Sequence, residues 1–405
     1  MKRLIARQPL FNAREKVTAY ELVFGFDTAK LFEGEEIKAE LPDNIRGRLY
    51  GSSSSTNGKQ LDVGIDITPE LLLGQDLRQL SKKTVVLYLR EPFDFTAEHL
   101  SAIKRWKEEG FRIALGPYAT EDQYYEMAQL ASQIIVDFRG KNEMELAFVP
   151  TWCKSYRIKT LAHNVESRAE FDVAKRLDYD IFHGPFFHKA EYVEKTAIPG
   201  FKLNYLRLLQ EINQSDIMFE RLESIIKQDV SLTYGLLKYI NSAAFGLRTE
   251  VESVQHALTL LGLNLVKKWA SLVVVGNIGK GLPEEALVTC MIRGKFLEAL
   301  GQRVGLGQRG DDLFFMGIFS LIDLFFSRPL EEILDEMPIK NDIKTAILGQ
   351  EGQLGALLGM VIAYEEGDWE PLQACATTLR LEEDQVVEIY FDALDWTQNM
   401  FVASA

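Results

Sequence analysis

The stretch TVVLYLREPFDFTAEHLSAIKRWKEEGFRIALGPYAT, Thr84 to Thr120, contains the unit that decides the fold. An apolar run comes first, a segment with apolar residues at helical spacing follows, and a second apolar run, Phe111 to Leu115, comes last. A strand, a helix and a strand in this order predict two parallel strands joined by a crossover helix. The second strand then ends at Gly116 and Pro117, which offer no side-chain donor or acceptor.

The same alternation extends over the first half of the chain. Its short apolar runs are VTAYELVF, LDVGIDI, TVVLYL, FRIAL, QIIVDF, YRIKTLA and DYDIF. Seven or eight such units in fewer than 200 residues predict a compact (β/α) TIM-like barrel, with an open doubly wound sheet as the alternative. From Gly200 onward only helical periodicity remains. The prediction is therefore an α/β barrel over residues 1–195 and an all-α domain over residues 196–405.

Composition excludes some classes of function. Lys and Arg (45) against Asp and Glu (59) give a net charge of −14, which disfavours a non-specific nucleic-acid binder. Three scattered cysteines without a CxxC pair are typical of a reducing compartment. The start of the chain lacks a signal-peptide pattern, and the most apolar stretch, LFFMGIFSLIDLFF, is interrupted by Asp323 and too short to span a bilayer. We therefore expect a soluble cytoplasmic protein with no membrane partner.

Polar residues at the strand ends are the candidate site, because the carboxyl ends of parallel strands meet at one mouth of a barrel. These positions are Glu21, Asp66, Tyr88, Gly116, Pro117, Asp137, His163 to Glu166, and His183.

Several motifs resemble a known combination of domains. ARQPLFNAREKVTAYELVF, IDITPELL and FHGPFFHKA resemble segments of EAL domains, barrels that hydrolyse cyclic di-GMP with divalent metals. In the second half, DVSLTYGLLKYINSAAFG and VESVQHALTLLG resemble an HDOD domain. Together they follow the order of EAL–HDOD bacterial signalling proteins and cover nearly the whole chain.

The resemblance implies that most of the EAL chemistry is lost. Glu21, Asp137 and Glu166 are kept, and Asp66 replaces an Asn ligand. The substrate-contacting Arg corresponds to Gly25, a Glu ligand to Tyr88, and the paired aspartates to Gly116 and Pro117. The catalytic Lys corresponds to Ile135, a further Glu to His163, and a Gln to His183. Hard divalent cations need several converging carboxylates, so we expect no phosphodiesterase activity, no metal and no cofactor.

Three other interpretations of this mouth stay open. The barrel is either a cyclic di-GMP receptor without hydrolysis, which the missing Arg at Gly25 makes doubtful, or a weak phosphodiesterase. A different metal site formed by Glu21, Asp137, His163, Glu166 and His183 is also conceivable, since imidazole and carboxylate together suit zinc.

The helical half resembles HD-type phosphohydrolases that have lost their metal-binding His-Asp pair, here Ser320 and Leu321. Asp229, Asn241 and Ser242 match the HDOD pattern, and we interpret them as helix-capping and helix-ending residues. The sequence thus predicts a non-catalytic signal-transduction protein that acts through protein–protein contacts. Its signalling partners are unknown, and homodimerisation is implied by the resemblance.

Overall fold

The computed structural model describes residues 4–32, 43–50, 61–189, 200–212, 214, 217–241, 245, 249–279, 282–337, 339–349 and 351–404. The chain divides into two compact units. One comprises Met1–Lys189 with Tyr364–Trp369, and the other comprises Ala190–Ala363 with Glu370–Ala405. The limits of the two predicted domains stay predictions.

Eight strands form a closed barrel in sequence order. They are β1 Ile5–Asn12, β2 Val17–Phe24, β3 Asp62–Asp66, β4 Val85–Leu89, β5 Arg112–Leu115, β6 Gln133–Asp137, β7 Lys159–His163 and β8 Ile181–His183. Strands β2 to β8 are parallel, as predicted. The barrel prediction is confirmed, and the open-sheet alternative is wrong.

Strand β1 departs from the predicted parallel pattern, because it runs antiparallel to both β2 and β8. The cause is the four-residue link between β1 and β2, which is too short for the crossover that parallel neighbours need. Asn12 stabilises this tight turn, since its Oδ1 accepts hydrogen bonds from the backbone N–H of Arg14 (2.9 Å) and Lys16 (3.1 Å). The hairpin places β1 between β2 and β8, where it closes the barrel.

The barrel interior is an apolar core. Leu10, Val86, Tyr88, Ala114, Ile135 and Leu161 form one buried cluster inside it. Burying side chains of this size stabilises the fold by roughly 1.5–3 kcal/mol each. The interior is therefore packed, and chemistry is confined to the mouth.

Six α-helices of the barrel unit lie in the described residues. They are α1 Asp43–Tyr50, α2 Pro69–Leu73, α3 Ala97–Glu108, α4 Tyr125–Ala128, α5 Glu143–Tyr156 and α6 Arg168–Arg176. Helix α5 begins with a capping box, in which Asn142 Oδ1 accepts from Glu145 N–H (3.1 Å) and Glu145 Oε2 accepts from Asn142 N–H (2.8 Å). The predicted strand run YRIKTLA begins at Tyr156, but this residue is the last one of α5, so β7 begins only at Lys159.

A short segment from late in the chain belongs to the barrel unit. Tyr364 Oη donates a hydrogen bond to the Ile5 carbonyl (2.9 Å), and Gln8 Nε2 donates to the Glu366 carbonyl (2.7 Å). The Ile5 carbonyl and the Gln8 side chain, which make these two hydrogen bonds, both belong to β1. The barrel unit is therefore not continuous in sequence.

The second unit is helical in the part of the chain that the structure describes. Its helices, including two that extend into the Tyr364–Trp369 segment, are α7 Gly200–Ile212, α8 Phe219–Lys227, α9 Val230–Ile240, α10 Val254–Ile278, α11 Glu284–Arg303, α12 Gly310–Phe319, α13 Ile322–Phe326, α14 Leu330–Asp335, α15 Asn341–Gly349, α16 Gly352–Glu366, α17 Trp369–Leu379 and α18 Glu383–Ser404. The all-α prediction for this region is confirmed.

One described helix, over Val254–Val274 of α10, has the length and hydropathy of a membrane span. Within this window 44% is buried inside the fold, and Gly262 (φ 69°) breaks the helical backbone. These two features are typical of a core helix with a kink. The cytoplasmic location stays a prediction.

Candidate functional site at the barrel mouth

The predicted strand-end residues meet at one mouth of the barrel. Glu21 lies on β2, Asp66 ends β3, Asp137 ends β6, His163 ends β7 and His183 ends β8. The register of the sheet places Asp66 beside Tyr88 and Asp137 beside His163. The convergence that the sequence predicted is therefore present.

Arg90, which the sequence analysis did not single out, lies at the centre of this mouth. Its guanidinium makes a two-pronged ion pair with Asp66, with Nε 2.8 Å from Oδ1 and Nη2 bonded to Oδ2. Nη1 donates to Glu21 Oε1 (2.7 Å) and contacts His163 Nε2 (2.8 Å). One side-chain cation thus holds two carboxylates and an imidazole.

This arrangement keeps Glu21 ionised although its side chain is only 2% exposed. Burial raises the pKa of the carboxyl, but His163 and Arg90 outweigh burial and hold the pKa well below its usual range. For Arg90, burial disfavours the charged form, but Glu21 and Asp66 hold the pKa above its usual value. The buried carboxylate and the guanidinium are therefore a charged pair across the whole neutral range.

His163 and His183 form a stacked pair beside Arg90, with ring centroids 4.1 Å apart and planes 14° from parallel. His183 Nε2 is 2.9 Å from Gln8 Oε1, and the Gln8 amide nitrogen donates a hydrogen bond to the Glu366 carbonyl. Gln8 can therefore only accept from His183, so the proton of the neutral imidazole is on Nε2. Burial and the neighbouring His163 lower the pKa of His183 to about 3, so this ring is neutral at pH 7. Its Nδ1 is buried and has no hydrogen-bond partner among the described residues.

The positions that the EAL resemblance assigns to metal-binding carboxylates have packing contacts in this structure. Tyr88 is buried, and its ring occupies the space over Gly64, where an added Cβ would lie 2.2 Å from the ring carbon that bears the hydroxyl. A Cβ on Gly116 would lie 2.0 Å from the Arg90 carbonyl oxygen, and Pro117 starts a short 3-10 helix. Ile135 is part of the apolar core. The residues present do not fit a pair of hard divalent cations.

Gly25 also has neighbours so close that an added side chain would overlap them. A Cβ at this position would lie 2.7 Å from Leu4 Cβ and 3.3 Å from the indole of Trp369. A larger side chain at this position therefore displaces its neighbours.

The two remaining candidates of the predicted mixed metal site take other partners. Asp137 binds Arg139, with Nη2 2.6 Å from Oδ2 and the backbone N–H 3.0 Å from Oδ1. Glu166 is half exposed and lies 3.8 Å from Lys189 Nζ. Of the five predicted residues, Glu21, His163 and His183 place one donor atom each within 4.8 Å of one another.

The HDOD positions in the helical unit have structural contacts. Asp229 Oδ1 accepts from Leu232 N–H (3.1 Å) at the start of α9. Asn241 joins the end of α9 to Val251 by two reciprocal hydrogen bonds, of 2.9 and 2.8 Å. Ser242 lies outside the described residues.

Ser320 and Leu321, which the resemblance aligns with a metal-binding His-Asp pair, are also in packed surroundings. Ser320 Oγ accepts from Arg293 Nη1 (2.8 Å) and donates to the Gly317 carbonyl (2.7 Å), and Leu321 is buried. An arginine thus contacts the predicted position in this unit as well.

Two functional residues were missed by the sequence analysis for identifiable reasons. Arg90 directly follows β4, so it occupies a strand-end position by the same rule that selected the others. However, the analysis looked for metal ligands at the strand ends, and an arginine is not a metal ligand. It therefore selected Tyr88 on β4 instead of Arg90. Gln8 was missed because β1 was not among the predicted strands.

Comparisons with known proteins agree with this architecture. Residues 198–320 match the HDOD domain family. Over its full length the chain is 27% identical to the uncharacterized protein YuxH of Bacillus subtilis, and the match covers 100% of both chains. It is 23% identical to the cyclic di-GMP phosphodiesterase CdgJ of Vibrio cholerae, over 98% of this chain and 92% of that protein.

Solved structures similar to the chain include the PaMucR phosphodiesterase in complex with c-di-GMP and an EAL domain protein from Listeria monocytogenes. The first is 14% identical over 45% of this chain and 89% of the other, with a TM-score of 0.36. The second is 12% identical over 46% and 87%, with a TM-score of 0.36. The chain has a closed eight-stranded barrel followed by a helical region in which residues 198–320 match the HDOD domain family, and this order of units supports the predicted EAL–HDOD combination.

Proposed function

We propose that this chain is a non-catalytic signal-transduction protein, in which a vestigial EAL barrel and an HDOD domain act through protein–protein contacts. The single observation that carries the proposal is the guanidinium of Arg90 between Glu21, Asp66 and His163. These side chains include both carboxylates that correspond to EAL metal ligands on β2 and β3. Their negative charge is neutralised by the protein itself.

Charge repulsion supports the loss of divalent-metal catalysis. A doubly charged ion about 4 Å from a guanidinium is repelled by on the order of 8 kcal/mol at an effective dielectric constant of about 20. Phosphodiester hydrolysis by two metals needs the opposite arrangement, several carboxylates that clamp both ions. With Arg90 in place, the mouth has lost the electrostatic term on which such catalysis depends.

Packing supports the same conclusion independently of charge. A Cβ on Gly116 would lie 2.0 Å from the Arg90 carbonyl oxygen, so an aspartate at this position requires the backbone to move. Tyr88 stands where the resemblance implies a Glu ligand, and its buried ring is packed over Gly64. The proposed loss of activity is therefore a property of several strands and not of one residue.

The name of the CdgJ relative favours a second candidate, weak hydrolysis of cyclic di-GMP. A third candidate is binding of cyclic di-GMP without hydrolysis. Phosphate recognition commonly uses the planar two-pronged guanidinium of an Arg, and residue 25, where the resemblance implies that Arg, is Gly25. The other arginine close to the mouth, Arg139, is bound by Asp137. We therefore rank both candidates below the non-catalytic function.

A surface stripe on helix α5 supports the protein–protein part of the proposal. Met144 and Phe148 are 85% and 56% exposed, and Trp152 and Tyr156 continue the stripe at four-residue spacing. Tyr125 joins it, with its Oη 2.7 Å from Tyr156 Oη. Exposed aromatic residues and methionine are enriched at interfaces, and contiguous apolar patches on soluble proteins mark contact sites.

We propose a second copy of this chain as the occupant of the stripe. Helix α5 begins with Glu143 and Glu145 and ends with Lys154 followed by Arg157. Two copies packed antiparallel would bring the acidic start of one helix to the basic end of the other. Rows of residues four apart also interdigitate when two helices cross.

The test is a direct comparison of hydrolysis and binding. Purified full-length protein is incubated with cyclic di-GMP and either Mn²⁺ or Mg²⁺, and the nucleotide products are separated by chromatography. The same preparation is titrated with cyclic di-GMP by calorimetry. We expect no product and no binding heat at high micromolar ligand. Hydrolysis that is lost in Glu21→Gln would establish the phosphodiesterase, and saturable binding without product would establish the receptor.

A further inference from the structure

The place occupied by Arg90 Nη1 has the properties of a cation site. Nη1 lies 2.7 Å from Glu21 Oε1 and 2.8 Å from His163 Nε2. An arginine nitrogen only donates hydrogen bonds, so both partners must direct lone pairs at it. Glu21 Oε2 and His163 Nε2 are 3.1 Å apart, close to the spacing of two ligand atoms on one tetrahedral ion with bonds of about 2.0–2.1 Å.

His183 supplies a third donor at this place. Because its Nε2 donates to Gln8, the lone pair of the neutral ring is on Nδ1, which is buried and has no partner. A ligand histidine that donates its other ring N–H to a fixed acceptor is a recurring arrangement in metal sites. The acceptor is fixed here, since Gln8 is itself held by the Glu366 carbonyl.

The chemistry of these donors selects the ion. Two imidazoles and one carboxylate suit zinc and similar transition metals, whereas magnesium prefers oxygen ligands alone. The set therefore differs from the hard-metal centre that the EAL resemblance implies, both in its ligands and in the ion it prefers.

We propose that Glu21, His163 and His183 form a binding site for one zinc-type transition-metal ion, and that Arg90 and this ion compete for it. The side chain of Arg90 is 24% exposed, so it has a path to solvent when the ion enters. The two imidazole rings lie almost parallel, so the ring of His163 turns to bring both lone pairs onto the ion, while Gln8 keeps the ring of His183 in place. This proposal does not rest on the proposed function, because zinc binding is measured without any nucleotide.

The test measures zinc affinity in the full-length protein. Wild type, Arg90→Met and Arg90→Met/His183→Leu are stripped with chelator, and each is titrated with zinc against a chromophoric competitor. Bound metal is then counted by elemental analysis after gel filtration. We expect Arg90→Met to bind one zinc at least tenfold more tightly than wild type, and the double variant to lose at least tenfold of that affinity. None of the three should bind Mg²⁺ under the same conditions.

Two controls separate this site from general metal binding. Arg78→Met removes an exposed arginine that binds Glu109 and does not touch the three ligands, and His256→Leu removes an exposed histidine of the helical unit. Both should leave zinc affinity unchanged. Circular dichroism melting of every variant confirms that it is folded.

A second variant keeps the test valid if Arg90→Met does not fold. Asp66→Asn weakens the anchor of Arg90 and leaves all three zinc ligands intact, so it should also raise zinc affinity. The proposal is overturned if neither folded variant takes up stoichiometric zinc, or if the zinc it takes up is retained after His183→Leu.

Discussion

Replacing Arg90 by methionine should destabilise the barrel by about 3 kcal/mol. The substitution keeps a long, flexible side chain but removes the charge that Glu21, at 2% exposure, depends on. Removing one partner of a buried ion pair costs roughly 3–5 kcal/mol, because the other charge is left uncompensated. We take the lower end, since His163 Nε2 lies 3.1 Å from Glu21 and is able to donate to it once the arginine N–H is gone. Asp66 adds little, because it is 46% exposed and regains water.

A double-mutant cycle isolates the pair from other effects of the substitutions. Arg90→Met, Glu21→Gln and the double variant are compared in chelator, so that no metal replaces the lost cation. We expect a coupling energy of about 2 kcal/mol, with the double variant more stable than the two single losses predict. The exposed pair of Arg139 and Asp137 is the matched control, and Arg139→Met should cost less than about 1 kcal/mol.

Hydrogen exchange measured by mass spectrometry is the assay, because a chain of two units does not give one two-state transition. Peptides from β2 and β4 report the opening free energy of the barrel, and peptides from α12 report the helical unit as an internal reference. A loss below about 1 kcal/mol in Arg90→Met, or a coupling energy near zero, would refute the view that Arg90 is the structural counter-charge of Glu21.

Three further predictions follow from the mouth and the surface. The low pKa of His183 means that the folded barrel binds fewer protons than the unfolded chain below about pH 6.5. The stability of the barrel should thus be complete above that pH and fall by about 2 kcal/mol on going to pH 5, measured by hydrogen exchange in peptides from β2 and β4, and His183→Gln should remove this slope. Gly116→Asp should lower the melting temperature by about 6 °C or more without creating phosphodiesterase activity, because its Cβ overlaps the Arg90 carbonyl. Gly307→Asp is the control and should be tolerated, since a Cβ there would lie 3.9 Å from its nearest neighbour; activity in Gly116→Asp would contradict the packing argument. Phe148→Glu should reduce the mass in light scattering from twice 46.0 kDa to 46.0 kDa, and Tyr234→Glu, an exposed aromatic residue of the helical unit, should leave it unchanged; a wild-type monomer would remove the second copy as the occupant of the stripe.

Periodicity was sufficient to predict most of the fold, because β3 to β8 are short apolar runs separated by helical segments. Strand β1 was not predicted, since Arg7, Gln8 and Pro9 interrupt its apolar pattern and its pairing depends on the hairpin with β2.

The candidate site was predicted in position but not in chemistry. The strand-end rule located Glu21, Asp66, His163 and His183. The same rule applied to Arg90, but no pattern indicates that a residue 69 and 73 positions from its partners neutralises them. The steric reasons for Gly25 and Gly116 likewise depend on atoms that are distant in sequence.

The barrel unit is completed by Tyr364–Trp369, and this limits how the protein can be divided or recombined. A gene fragment that ends after β8 would encode all eight strands but would lack the carbonyl that orients Gln8, the hydroxyl that binds Ile5 and the indole beside Gly25. The barrel is therefore not encoded by one continuous gene segment. Recombination between related genes would have to keep two separate segments of the chain together.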